Sequence, residues 1–222
     1  MASLNFRPLW RYQDVFVDGI ITTLKLAIEA GLAGLVLGLI CAVILGRGNR
    51  IVNFVIRAYI ELIRNTPPVI QIFIIFFVLP EIGLKLPPFQ AAVVALTLYF
   101  GAFVAEIIRS GLNSIPRAQV EAGHCLGLTR LQVFVHVVLF PALRNIYPSL
   151  TSQFILLLLG TSIASFISTE ELFQTAGFVD SRTFRSFEVY ALISVIYVAM
   201  VIAFRLVFFV LGRLAFRWPV AR

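Results

Sequence analysis

Residues 114–132 read Ser114-Ile115-Pro116-Arg117-Ala118-Gln119-Val120-Glu121-Ala122-Gly123-His124-Cys125-Leu126-Gly127-Leu128-Thr129-Arg130-Leu131-Gln132, and Val137-Val138-Leu139-Phe140-Pro141 follows shortly after. This is a polar, glycine-broken stretch set between two strongly apolar ones. Proline is tolerated in the first turn of a helix, where its missing N–H would go unbonded anyway, so a helix is predicted to start at 114–116. Gly127 suits the left-handed residue that ends such a helix. Thr129 with Gln132 then reads as a capping box, each side chain covering a free backbone N–H of the next helix. Two short helices meeting at Gly127 make a compact polar projection. Connections inside helical bundles usually take about 2–8 residues, so a plain turn does not need this length.

The rest of the chain says what the projection is attached to. Of 222 residues, 60% are hydrophobic, 13% are charged and 21 are Phe. Soluble domains carry about a quarter charged residues, so polar side chains are too few here to coat a globule, and an integral membrane protein is expected. The start, Met1-Ala2-Ser3-Leu4-Asn5, lacks the basic segment and small-residue cleavage site of a removable signal. The first apolar span is therefore expected to be a membrane helix. The net charge of +7 does not point to nucleic acid, because Lys and Arg sit at the ends of apolar spans and not among exposed aromatics. Cys41 and Cys125 form neither a disulfide framework nor a metal spacing, and read as free thiols.

Crossing the hydrocarbon takes ~20 apolar residues. Five spans meet that test, at about 19–46, 51–80, 89–113, 143–168 and 187–214. Their long unbroken apolar runs lack the period-two alternation of a membrane barrel, so the fold class is all-α. Loop charges orient the bundle. The 46–50 turn holds Arg47 and Arg50 without an acid, 114–131 holds Arg117 and Arg130 against Glu121, and the tail adds Arg213, Arg217 and Arg222. On the opposite side, Glu81 and Lys85 cancel, and Glu170, Glu171, Asp180 and Glu188 outnumber Arg182 and Arg185. Basic loops face the cytoplasm, which puts the N-terminus outside, and the C-terminus and the polar projection inside.

The projection resembles the cytoplasmic coupling loop of the membrane subunits of ATP-binding-cassette (ABC) importers, where Glu-Ala-Ala-x-x-x-Gly is followed after a spacer by Ile-x-Leu-Pro. Two departures occur: Gly123 stands for the second alanine, which loosens the helix by up to ~1 kcal/mol, and Pro141 falls one residue late. Further segments resemble permeases for polar amino acids. Glu61-Leu62-Ile63-Arg64-Asn65-Thr66-Pro67 matches their Glu-Leu-x-Arg-x-Thr-Pro stretch, and Ala105 to Pro116 and Thr161-Ser162-Ile163 with Glu170-Glu171-Leu172-Phe173 match in family order. The resemblance implies a type I importer fold: one transmembrane domain over 1–222, with its core at about 19–213 and its coupling loop at about 114–131. It further implies that Glu121, Ala122, Gly123 and Gly127 insert into an ATPase subunit. The partners it implies are a second permease, in a homodimer or more favourably a heterodimer, two ABC ATPases, a periplasmic solute-binding protein and the bilayer of a bacterial inner membrane. This chain would hold no cofactor, ATP and Mg belonging to the ATPases. It has no Gly-x-x-x-x-Gly-Lys-Ser/Thr motif of its own.

Polar groups within the spans mark the expected solute path. Arg64, Asn65 and Thr66 lie some ~20 Å into the second span, and Pro67-Pro68 frees backbone carbonyls there. A midplane Arg is a functional candidate by default. The alternative is an ion pair between Arg64 and Glu61. Lys25 and Glu29, one turn apart, read as a structural pair. Thr161, Ser162 and Ser165 serve either the path or helix packing. The family often reads Asn-Glu-Phe and then Lys-Asp-Thr-Ser-Leu where this chain has Ser152-Gln153-Phe154 and Leu159-Gly160-Thr161-Ser162-Ile163. Both acids are thus absent, and Gln153, Thr161 and Ser162, with Arg64 and Thr66, are the expected neutral and basic lining. Two other classes stay in view. A gradient-driven carrier or channel would fit the composition, but no internal repeat is evident. An intramembrane enzyme would need a catalytic or metal cluster, and His124 and His136, twelve residues apart, have no carboxylate cluster beside them.

Overall fold

The computed structural model describes residues 4–216 apart from Gly48. Residues 1–3 and 217–222 lie outside the described residues, and with them the Met1-Ala2-Ser3 start and Arg217 and Arg222 of the basic tail. Every regular element described is helical. A short 3-10 turn, Arg7–Tyr12, leads into α1, Gln13–Arg47. Next come α2, Arg50–Arg64, and α3, Pro68–Phe73, which continues as a π-turn over Ile74–Val78 and a 3-10 turn over Leu79–Ile82. Gly83, at φ +89°, turns the chain into α4, Pro88–Asn113. The projection holds α5, Arg117–Cys125, and α6, Arg130–Gln132. From α6 the helix runs on through a π-segment, Val133–Leu139, into α7, Phe140–Gly160, and a 3-10 turn, Thr161–Ile167. The chain ends with α8, Leu172–Thr183, and α9, Ser186–Ala215.

Helix α4 is the centre of the bundle, and α1 lies along it. Gly34 and Gly38 of α1 make that approach possible: a Cβ at Gly34 would stand 3.0 Å from the Thr97 carbonyl, and one at Gly38 2.8 Å from the Gly101 carbonyl. In a bilayer, helices gain little from excluding water, so small residues that let backbones close in are a main source of association. On the other flank α7 packs on α4, with Ile146 filling the space that a side chain at Gly111 would need. Ala30, Leu96, Phe100, Val104 and Leu157 knit α1, α4 and α7 together. Helix α9 is the least buried of the spans, with Val195, Val198, Ile202, Leu206 and Val210 all exposed on its outer side.

Four of the five expected spans are continuous helices, and the second is not. Where one span was expected over 51–80, α2 and the 68–82 helix meet at an angle of 111°. The cause is local: Pro67-Pro68 cannot donate to the preceding turn, and Pro67 takes an extended ψ of 134°. Gln71 repairs the break, its Nε2 donating to the carbonyls of Ile63 at 2.8 Å and Thr66 at 2.9 Å. The connection 169–188, expected as a loop, contains α8. The Lys25–Glu29 pair does not form: the ion pairs among the described residues are Arg109–Glu106 and Arg185–Glu188, and both Lys25 and Glu29 are exposed on α1.

Candidate functional site

The projection is built as the residues dictate. Pro116 precedes α5 in an extended conformation, one position earlier in the cap than its sequence context predicts. At the other end Leu126 caps the helix, Gly127 turns left-handed at φ +76°, and Leu128 N donates back to the Gly123 carbonyl at 3.2 Å. That six-to-one bond around a left-handed glycine is the Schellman closure. The capping box is complete: Gln132 N donates to Thr129 Oγ1 at 3.3 Å and Thr129 N to Gln132 Oε1 at 2.9 Å.

Gly123 is the one buried residue of α5, and a Cβ there would come within 3.1 Å of Val133. The departure from alanine therefore seats α5 closely on the π-segment that follows it. Glu121, Ala122, His124 and Cys125 face outward, and Leu126 and Leu131 flank the glycine at 80% and 72% exposure. Two bare leucines and a Glu121 carboxylate with no ion pair or hydrogen bond among the described residues form a surface with contacts to offer.

The expected path residues are scattered by the fold. Arg64 lies exposed at the α2–α3 break, its guanidinium 5.5 Å from the Phe103 ring centre and not paired with Glu61. Glu61 instead accepts from Asn65 Nδ2 at 3.1 Å, and the Thr66 hydroxyl donates to the Leu62 carbonyl. Gln153 is buried on α7 with its Nε2 unpartnered among the described residues, and space is open at Gly160, where an added Cβ would meet nothing within 4 Å. Thr161 is fully buried, and its hydroxyl donates to the Leu158 carbonyl. Ser162 lines a cleft of about 390 Å³ with Leu159, Phe173, Tyr190, Ser194 and Tyr197.

That cleft and one further along form a seam between α7 and α9. Toward the Ser186 end of α9, an open hollow lined by α9 alone, at Ser186, Phe187, Tyr190, Ala191 and Ser194, adjoins it. Toward the Ala215 end, the seam's second cleft lies between Tyr147, Thr151 and Ser152 of α7 and Arg205 and Phe208 of α9. Tyr190, Ser194, Tyr197, Arg205 and Phe208 recur at helical spacing and form one stripe. The structure thus brings Ser162 to the seam, and leaves Arg64 and Thr66 at the α2–α3 elbow.

Two residues here were not among the candidate site residues of the sequence. Arg205 carried a signal, since an arginine inside an apolar span is conspicuous. Glu171 carried only its place in the Glu170-Glu171-Leu172 stretch. Its side chain is fully buried, caps α8 by accepting from Phe173 N and Gln174 N, and accepts from the Tyr197 hydroxyl at 3.0 Å. Burial pushes its carboxyl above the usual range, and these hydrogen bonds offset part of the shift.

Residues 34–218 match the family described as binding-protein-dependent transport system inner membrane component. A probable glutamine ABC transporter permease protein of Bacillus subtilis is 34% identical over 199 residues, covering 90% of this chain and 92% of that protein. The glutamine transport system permease protein of Escherichia coli K12 is 33% identical over 220 residues, or 98% of this chain and 99% of its own. An amino acid ABC transporter crystallised with histidines superimposes at a TM-score of 0.88, with 34% identity over 96% of this chain and 99% of that one. The inward-facing MetNI methionine ABC transporter shares the fold, at a TM-score of 0.75. Sequence, helix order and superposition agree, and the chain belongs to the family of binding-protein-dependent transport system inner membrane components, the membrane-spanning permeases of ABC importers.

Proposed function

We propose that this chain carries a polar amino acid, or a solute like one, inward across a bacterial inner membrane as the permease half of an ATP-driven importer. The observation that carries the reading is the projection at Glu121–Gly127: a rigidly capped, exposed element with unpaired polar and apolar contacts, on the side of the basic loops. Relatives named for glutamine transport support an amino-acid solute. Glu121, Ala122 and Gly127 would enter a cleft of an ABC ATPase, with Gly123 seating the helix behind them. Two ATPases would hold ATP and Mg and supply the chemistry, this chain having none. A second permease, favourably a different one, would complete the path across the exposed outer face of α9. A periplasmic binding protein would deliver solute at the outer end, near α8. The N-terminus then lies outside and the C-terminus in the cytoplasm.

Reconstitution of the complex into vesicles tests the reading. Uptake of a labelled amino acid should require ATP, the ATPases and the binding protein together. Uptake by the permease alone, driven by an ion gradient, would make it a carrier instead.

A further inference from the structure

The inner end of the α7–α9 seam has a chemistry that none of the expected path residues supplies. Arg205 lies ten residues from the Ala215 end of α9, or ~15 Å up the helix at 1.5 Å per residue. It has no carboxylate partner among the described residues. Helix α7 carries no acid, and the acid of α9, Glu188, stands 17 residues away and is held by Arg185 at 2.8 Å. An unpaired arginine within a span faces protein or a water-filled cavity and marks a substrate path more often than lipid.

The cleft around it, of about 290 Å³, offers donors. Ser152 is exposed and lines the same cleft as Arg205, its hydroxyl in no hydrogen bond among the described residues, whereas Tyr147 already donates to the Phe208 carbonyl and Thr151 to the Pro148 carbonyl. Further up the same stripe the lining is neutral: Ser162, Ser194, Tyr190 and Tyr197. The residues lining the two clefts therefore include one cation, Arg205, and no acid, the Glu171 that accepts from Tyr197 being fully buried and not part of the lining. A guanidinium with an adjacent hydroxyl matches a carboxylate, which accepts two parallel hydrogen bonds from such a fork.

We infer that Arg205, with Ser152, binds the free carboxylate of the transported solute at the inner half of the α7–α9 seam. This rests on the amino-acid reading above. The site is distinct from Gln153 and Gly160, where related permeases carry acids, and it selects for the anionic end of the solute.

The test uses the assembled transporter in vesicles. The twenty common L-amino acids are screened for ATP-dependent uptake, and the best of them is compared with its own α-amide in wild-type, Arg205→Gln and Arg205→Lys complexes. A site built around a carboxylate discriminates strongly against an analogue that leaves its donors unpaired. The wild type should therefore prefer the acid. Arg205→Gln should raise KM for the acid roughly 10-fold or more and leave KM for the amide unchanged, with Arg205→Lys between the two. KM does not depend on how much variant protein folds, so poor expression cannot imitate this pattern. Unchanged KM for the acid, or an equal rise for acid and amide, overturns the assignment. So does a defect seen only in vesicles containing anionic lipid, which would give the guanidinium to a headgroup phosphate. Failure of the wild type to take up any amino acid overturns the amino-acid reading itself, separately from the role of Arg205.

Discussion

Two short helices connect spans at opposite ends of the bundle, and they are held in opposite ways. At the end with the basic loops, α5 is closed by its own bonds, from Leu128 N back to Gly123 and between Thr129 and Gln132, and it buries only Gly123. At the other end, α8 buries Leu172, Thr175, Ala176 and Val179, and its N-cap Glu171 is tied to Tyr197 of α9. Leu172 N also donates to Thr23 of α1 at 3.1 Å. The first element is finished in itself and leaves its surface free. The second exists only as part of the bundle. An element that transmits force to a separate subunit needs a rigid shape and unspent contacts. An element that braces three helices needs the reverse.

The largest effects should fall on transport when the free element is altered. Gly127→Val forces a β-branched residue into the left-handed region, and Glu121→Arg reverses the exposed charge. Each should cut ATP-driven uptake by about 10-fold or more, within the usual range of a coupling free energy. The amount of protein in the membrane should hold, since neither residue packs against the bundle. If uptake proceeds at the normal rate, the projection is not the dock.

The braced element should answer in stability instead. Glu171→Ala strands the N–H groups of Phe173 and Gln174 and the Tyr197 hydroxyl in a buried site. The cost should be about 3 kcal/mol, a fall of roughly 6–12 °C in thermal midpoint of the purified complex. Glu171→Gln keeps an acceptor oxygen and nearly the same volume, and its neutral charge suits a site where burial already favours the protonated acid. It should lose less than half as much. Equal losses for the two substitutions would mean that the negative charge, and not the accepted hydrogen bonds, holds α8.

The smallest expected effect sharpens the contrast from the other side. Thr129→Ala removes half of the capping box on an exposed helix end, worth ~1 kcal/mol locally. The thermal midpoint of the complex should move by no more than about 4 °C. A drop as large as that of Glu171→Ala would show that the projection is part of the bundle after all.

This contrast also explains which parts of the molecule were legible in the sequence. The projection was readable because its determinants are neighbours in the chain: Pro116, Gly127, Thr129 and Gln132 act within a few residues of one another. The spans were readable from apolar length alone. The bend at Pro67-Pro68 was signalled by the prolines, but its 111° depends on Gln71 reaching back to Ile63 and Thr66. Helix α8 was hidden because its acidic, aromatic sequence resembles a solvated loop, and the partners that bury it come from α1 and α9. The Lys25–Glu29 spacing suggested a pair that the side chains do not make. The seam was the least legible part, since Ser162 and Arg205 meet one groove from separate helices and no local pattern joins them.

Cys125 offers the most direct measurement, because it is a native thiol on the exposed face of α5, whereas Cys41, the other cysteine, is buried. A membrane-impermeant maleimide should label Cys125 in inside-out vesicles stripped of ATPase, and should fail to label it in right-side-out vesicles. Returning the ATPase to the stripped vesicles should then block the labelling. Reaction from the outside would reverse the orientation, and labelling from the inside that the ATPase leaves unchanged would contradict the claim that this projection is where the motor docks.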